Sequence, residues 1–153
     1  MKYLGLDLGT KTLGLSISSG MIASNLKTIR YTDEDELIKE LVEVIKENNI
    51  DCLVLGFPKN MNNTIGPRAE KTLEFKKKLE DLNYQVFLQD ERLSTVSAIN
   101  YMIEADMSRK KRKQKVDSLA ATIILQTYLD KEGNKLWKMN KWNLKLLMIK
   151  VKK

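Results

Sequence analysis

Hydrophobic and polar positions alternate from the start of the chain. Leu4, Leu6 and Leu8 fall on one face of Tyr3–Leu8, and Gly5, Asp7 and Gly9 on the other, which is the two-residue period of a strand. Gly9-Thr10-Lys11 reads as a turn into a second strand, Leu13–Ser18, and Ala23–Tyr31 as a third. The period then changes. Leu37, Leu41, Val44 and Ile45 form the apolar stripe of a helix from Asp33 to about Asn48, with Thr32 as its cap and acids in its first turn. Cys52–Phe57 is a nearly unbroken apolar run, as in a buried parallel strand. A polar loop, Pro58–Gly66, leads to Pro67, a residue suited to the first helical position. Gln85–Glu91 reads as another strand, Ser94 opens a helix to about Asp106, and a basic loop leads into a last helix, about Lys115–Leu129. Three strands followed by alternating helices and strands predict an α/β domain with a mixed sheet, whose ligand sites tend to lie at strand ends.

Composition narrows the chemistry. At 153 residues the chain can bury a core of its own, and its 42% hydrophobic and 31% charged residues are those of an ordinary globular protein. One cysteine, Cys52, excludes an internal disulfide framework and any multi-cysteine zinc site. The absence of histidine excludes Ser-His-Asp and Cys-His triads, His-ligated zinc and a histidine general base. The net charge of +7 is uneven: residues 1–107 carry 13 Lys/Arg against 17 Asp/Glu, and residues 108–153 carry 14 against 3. A polyanionic partner is expected, with nucleic acid ahead of an anionic membrane surface. No signal-peptide anatomy and no apolar run of about 18 residues is present, so a cytoplasmic location is expected.

Three carboxylates run against their local pattern. Asp7 sits mid-strand between leucines, where an unpaired charge is costly, and pairing with Lys11 is the plain alternative. Glu91 closes the last predicted strand inside Asp90-Glu91-Arg92 and could simply pair with Arg92. Asp117 shares a helical face with Ala120, Ala121, Ile124 and Tyr128, the apolar face. A dipole-favoured acid near a helix start explains its turn but not its face. Three inward acids from separate segments would repel one another unless cations bridge them, and Mg²⁺ is the usual choice of hard cation for oxygen ligands. A carboxylate-only cluster beside a basic surface suggests two-metal phosphodiester chemistry. Without histidine, the metal must activate the attacking water.

Gly5–Thr12 approaches a phosphate-binding P-loop but fails in spacing, since three residues separate the glycines and Thr10 precedes Lys11. The run Arg109, Lys110, Lys111, Arg112, Lys113, with Lys115 beyond it, could be a solvated loop; its position before Asp117 favours phosphate contact.

Four motifs, in order, carry a family resemblance over about residues 3–130. They are Gly5-Leu6-Asp7-Leu8-Gly9-Thr10-Lys11-Thr12-Leu13-Gly14; Gly56-Phe57-Pro58-Lys59-Asn60-Met61 with Gly66-Pro67-Arg68-Ala69; Asp90-Glu91-Arg92-Leu93-Ser94-Thr95; and Asp117-Ser118-Leu119-Ala120-Ala121. Together they resemble the YqgF/RuvX family, known as Holliday junction resolvase-like proteins and as pre-16S rRNA processing nucleases. The resemblance implies an RNase H-like α/β fold with a five-stranded mixed sheet in the order 3-2-1-4-5, strand 2 antiparallel, flanked by helices. It implies Asp7, Glu91 and Asp117 as the catalytic, metal-binding acids for Mg²⁺ or Mn²⁺, as two ions. Lys11, Lys59, Arg68 and Arg92 in the motifs join the run 109–115 as candidate nucleic-acid contacts. Two positions depart from the pattern: Ser18-Ser19-Gly20 stands where the family often has Asp, and Asn63 where it often has Gly, although Asn also tolerates the left-handed conformation.

The expected organisation is a nuclease domain over 1–130 and a basic C-terminal extension over 131–153. From Gly133 onward the chain holds Trp137, Trp142 and seven lysines, with Leu136, Met139, Trp142, Leu146 and Ile149 at helical spacing. Such a segment could bind RNA, a membrane surface or a partner. The plainer expectation is a helix packed on the domain or a poorly ordered end. The favoured activity is cleavage of structured nucleic acid by a monomer or homodimer, with pre-16S rRNA as substrate. The rivals are a dimeric resolvase acting on branched four-way DNA and a non-catalytic ribosome-assembly factor.

Overall fold

The computed structural model describes residues 1–58 and 65–91, and the backbone of 109–151 with its side chains from Leu119 onward except at 134, 136–138, 150 and 151. Five strands form one sheet: β1 (Tyr3–Leu8), β2 (Thr12–Ser18), β3 (Ser24–Arg30), β4 (Cys52–Phe57) and β5 (Val86–Asp90). Their order is β3-β2-β1-β4-β5. β2 runs antiparallel to β1 and β3, and β1, β4 and β5 are parallel. The helices are α1 (Glu34–Glu47), α2 (Pro67–Asp81) and α3 (Arg109–Val151).

Alternation along β1 divides the molecule into layers. Leu4 and Leu6 join Leu13, Leu15, Leu53 and Leu55 in the larger core, which α1 closes with Leu37, Leu41, Val44 and Ile45, and α2 with Phe75 and Leu79. The opposite face is covered by α3, where Ile124, Leu125 and Leu129 pack on Val54. β4 is buried along its whole length, as its continuous apolar run requires. On the α3 face the sheet and helix approach closely. A Cβ at Gly5 would meet the Ser16 hydroxyl and lie 2.8 Å from Leu125 Cβ and 2.9 Å from the Ala121 carbonyl oxygen. The Ser16 hydroxyl, fully buried, donates to that same carbonyl at 2.7 Å. Tyr3 and Phe87 meet Tyr128 further along, with ring centroids 5.9 and 5.5 Å apart.

Three expectations are corrected. The cap of α1 is Asp33, not Thr32: its carboxylate accepts from the Asp35 N–H at 3.1 Å. The basic run is not a loop, because α3 already begins at Arg109. Nor does α3 end near Leu129. It continues through residue 131 to Val151, and residues 139–149 are all exposed rather than packed on the domain. The predicted Ser94–Asp106 helix lies outside the described residues. No helix among the described residues is long and apolar enough to cross a membrane.

Candidate active site

Parallel pairing of β1, β4 and β5 gathers their C-terminal ends at one edge of the sheet. Asp7, half-buried near the end of β1, points to the α3 face, on the same side as Gly5. Glu91 follows β5 directly and prolongs its pairing with β4, its N–H donating to the Phe57 carbonyl at 3.3 Å.

The two side chains are hydrogen-bonded to each other. Two carboxyl groups can share such a bond only with a proton between them. Burial pushes the Glu91 carboxyl up to about 7, helped by the charge and hydrogen bond of Asp7; Arg68 acts in the opposite sense, and Asp90 adds a smaller upward push. Glycines make the space. Gly14 is the β2 partner of Asp7. A Cβ at Gly56 would lie 2.5 Å from Glu91 Oε2 and 2.6 Å from Ile124 Cδ1, so any larger residue would push the ends of both side chains from their places.

Of the sequence-identified residues, Asp7 and Glu91 are brought into contact, and Arg68, in the first turn of α2, acts on Glu91 electrostatically. Asp117 lies on α3, one turn before Ala121; its side chain, like those of Arg109, Lys110, Lys111, Arg112, Lys113 and Lys115, lies outside the described residues. Lys59 and Arg92 lie outside them altogether. Lys11 lines a separate cleft of about 330 Å³ with Arg30, Tyr31, Thr32, Glu36 and Glu40, on the α1 side of the hairpin. Among the described residues no group of three or more Asp, Glu, Cys or His could hold a metal ion. Two features were missed. One is Gly56 as the floor beneath Glu91, whose sequence signals are its place at the head of the second motif and a glycine in an otherwise apolar strand. The other is buried Gln89, which donates to the Asp90 carbonyl at 3.2 Å while its Oε1 has no partner among the described residues.

A mixed sheet in this order, with acids at the ends of its parallel strands, is the architecture of an RNase H-like fold. Two solved structures share it: a Thermus thermophilus RuvC in complex with a Holliday junction substrate and a fowlpox virus resolvase with Holliday junction DNA. Each aligns with a TM-score of 0.56 at 12% identity, covering 86% of this chain and 96% or 98% of the other.

A model of the RuvX family, described as Holliday junction resolvase, matches residues 1–131, and the chain belongs to that family. A Geobacillus relative is 52% identical over 135 residues, 85% of this chain and 98% of its own. A Bacillus subtilis relative is 50% identical over the same length and coverage. Both are provisionally named pre-16S rRNA nucleases. Membership in this nuclease and resolvase family makes the chain a hydrolase acting on nucleic acid.

Proposed function

We propose that the chain is a metal-dependent endonuclease that processes the 5′ end of pre-16S rRNA in the cytoplasm. The observation that carries the chemistry is the hydrogen-bonded Asp7–Glu91 pair, with Glu91 raised to about 7. Two hard oxygen donors in contact, one of them with its proton affinity raised by burial and by the other, fit a divalent cation. Asp7, Glu91 and Asp117 would hold the Mg²⁺ or Mn²⁺ ions, with two ions as the expected number.

The packing of α3 supports the third acid. Tyr128 lies against Tyr3, and Ala121 and Leu125 abut Gly5, so helix and strand run in opposite directions. A strand advances about 3.3 Å per residue and a helix about 1.5 Å. Carried one more turn, the same alignment brings the backbone of residue 117 beside Asp7.

When bound, the ions would supply the positive charge that activates water and offsets charge on the departing oxygen. The chain's own residues do the rest. Asp7 and Glu91 would present their oxygens to the ions, Gly56 leaves room for the Glu91 carboxylate, and Arg68 offsets part of the acidic charge. The basic residues of the α3 start hold the phosphate backbone.

The choice of pre-16S rRNA rests on the names of the relatives. The family description favours a second reading, cleavage of four-way DNA, which needs a two-fold dimer to cut symmetric strands. The test is cleavage of a pre-16S rRNA fragment and a four-way junction with Mg²⁺, Mn²⁺ or chelator, with Asp7→Asn as control and light scattering for mass. Selective, chelator-sensitive cleavage of the RNA supports the proposal. Paired cuts in the junction by a dimer would replace it, and undiminished cleavage in chelator would refute the metal mechanism.

A further inference from the structure

The part of α3 beyond residue 131 lies outside the family match. The match ends at residue 131, and among the described residues the last buried side chain of α3 is Leu129. The helix nevertheless runs on to Val151. Residues 139–149 are exposed without a break. Seven of these eleven are large and apolar, including Trp142 at 63% exposed, Leu144 at 61% and Met148 at 61%.

At about 100° per residue, Ile149, Trp142, Leu146, Met139, Leu147, Leu144 and Met148 are spread over about 260° of the helix circumference, interrupted only by Asn140 and Asn143. Lys141 and Lys145 fill the remaining narrow stripe. A coiled-coil seam uses only the a and d positions. Here Met139, Trp142, Leu146 and Ile149 fit such a seam, but pairing along it would leave Leu144, Leu147 and Met148 in water. Two copies would also bring together lysine-rich segments, each with seven lysines from Gly133 onward and no acid after Glu132. Nucleic acid would reward the lysines but offer nothing to Leu144, Leu146, Leu147 or Ile149. An anionic bilayer surface satisfies both sets. Its acyl boundary takes a wide apolar arc, its headgroups take lysines, and tryptophan favours that interface.

We propose that this exposed stretch of α3 is a membrane-surface anchor that lies in the interface of anionic lipid without spanning it. The inference is independent of the nuclease reading. It is open to a clean test because both tryptophans of the chain, Trp137 and Trp142, lie in this segment. The full-length protein is titrated with phosphatidylglycerol vesicles and with phosphatidylcholine vesicles, following tryptophan emission and vesicle co-flotation. The expected result is a blue shift and flotation with phosphatidylglycerol only. Lys141→Gln and Lys145→Gln should each weaken partitioning by about fivefold. Leu146→Glu with Leu147→Glu should abolish it while leaving nucleic-acid cleavage and thermal melting unchanged. The proposal is overturned by the absence of a shift on phosphatidylglycerol, by equal binding to both lipids, or by full partitioning of the double glutamate variant. A blue shift produced by RNA alone, or by raising protein concentration alone, would overturn it in favour of an RNA contact or self-association.

Discussion

Replacing Glu91 with Gln should make the metal-free protein more stable at neutral pH. The sign follows from the direction of the shift. The Glu91 carboxyl rises in the fold from its ordinary value of 4.5 to about 7, so the folded state holds its proton more tightly than the unfolded chain does. Stability from this group is therefore fully present below pH 4.5 and is lost as pH rises through 7. Each pH unit of that interval corresponds to about 1.4 kcal/mol, so ionising Glu91 costs the fold on the order of 3 kcal/mol by pH 8. The glutamine side chain carries no such charge, and its amide can donate to Asp7 as the protonated acid does. Urea unfolding of wild type and Glu91→Gln in chelator, at steps from pH 4 to pH 8, measures the difference. The gap should be near zero at pH 4 and open to on the order of 3 kcal/mol at pH 8 in favour of the variant. In a domain of this size that is a shift in Tm of about 6–12 °C. Millimolar Mg²⁺ or Mn²⁺ should close the gap by stabilising the wild type alone. A gap that stays constant across the pH range would show that Glu91 does not titrate against Asp7, and the argument for a cation site would fall with it.

Asp7→Asn and Asp117→Asn should each abolish cleavage while circular dichroism and melting show an intact fold; full activity in either removes that residue from the mechanism. Gly56→Ala inserts a methyl against Glu91 Oε2 and Ile124 Cδ1, and should cost about 1–3 kcal/mol in urea unfolding and about a hundredfold in cleavage rate through misplacement of the carboxylate. Ser16→Ala removes the buried bond to the Ala121 carbonyl and should cost about 1 kcal/mol in stability with little change in the single-turnover rate. Replacing Lys110, Lys111 and Lys113 with Ala should flatten the log-salt dependence of nucleic-acid binding by up to about two to three units, leaving the single-turnover rate at saturating substrate near that of wild type.

The fold was legible where the signal was local. The bounds expected for β1 and β4 are those observed, because strict alternation and an unbroken apolar run are patterns of adjacent residues. The stripe Leu37, Leu41, Val44 and Ile45 is the buried face of α1. The cap shifted by one residue because Thr32 and Asp33 both suit that position, and only backbone geometry chooses between them. The last helix was misjudged at both ends for one reason. A run of five cations looks like a solvated loop, and a segment without a core partner looks like a frayed end, yet Lys, Arg, Leu and Met are good helix formers and no proline interrupts residues 109–151. Propensity extends α3 past the point where burial stops supporting it, across Gly133, at a cost of about 1 kcal/mol relative to alanine.

The site was legible as three acids out of place, but not as a contact. Asp7 and Glu91 are far apart in sequence, and the parallel register of β1, β4 and β5 joins them, which no local pattern encodes. The same register leaves Lys11 on the other side of the hairpin, with Glu36 and Glu40, so its charge cannot be assumed to serve the acids from sequence proximity alone. What the sequence did carry was the conflict itself, an ionisable side chain between leucines and another closing a strand. Such conflicts lower stability, and they are expected where function requires them. Here the conflict has a size, on the order of 3 kcal/mol at pH 8, and a device that maintains it: Gly56 leaves open the space that the Glu91 carboxyl occupies beside Asp7. A change that relieves the repulsion should therefore stabilise the protein and disable it together, whereas damage to a purely structural ion pair would destabilise the fold.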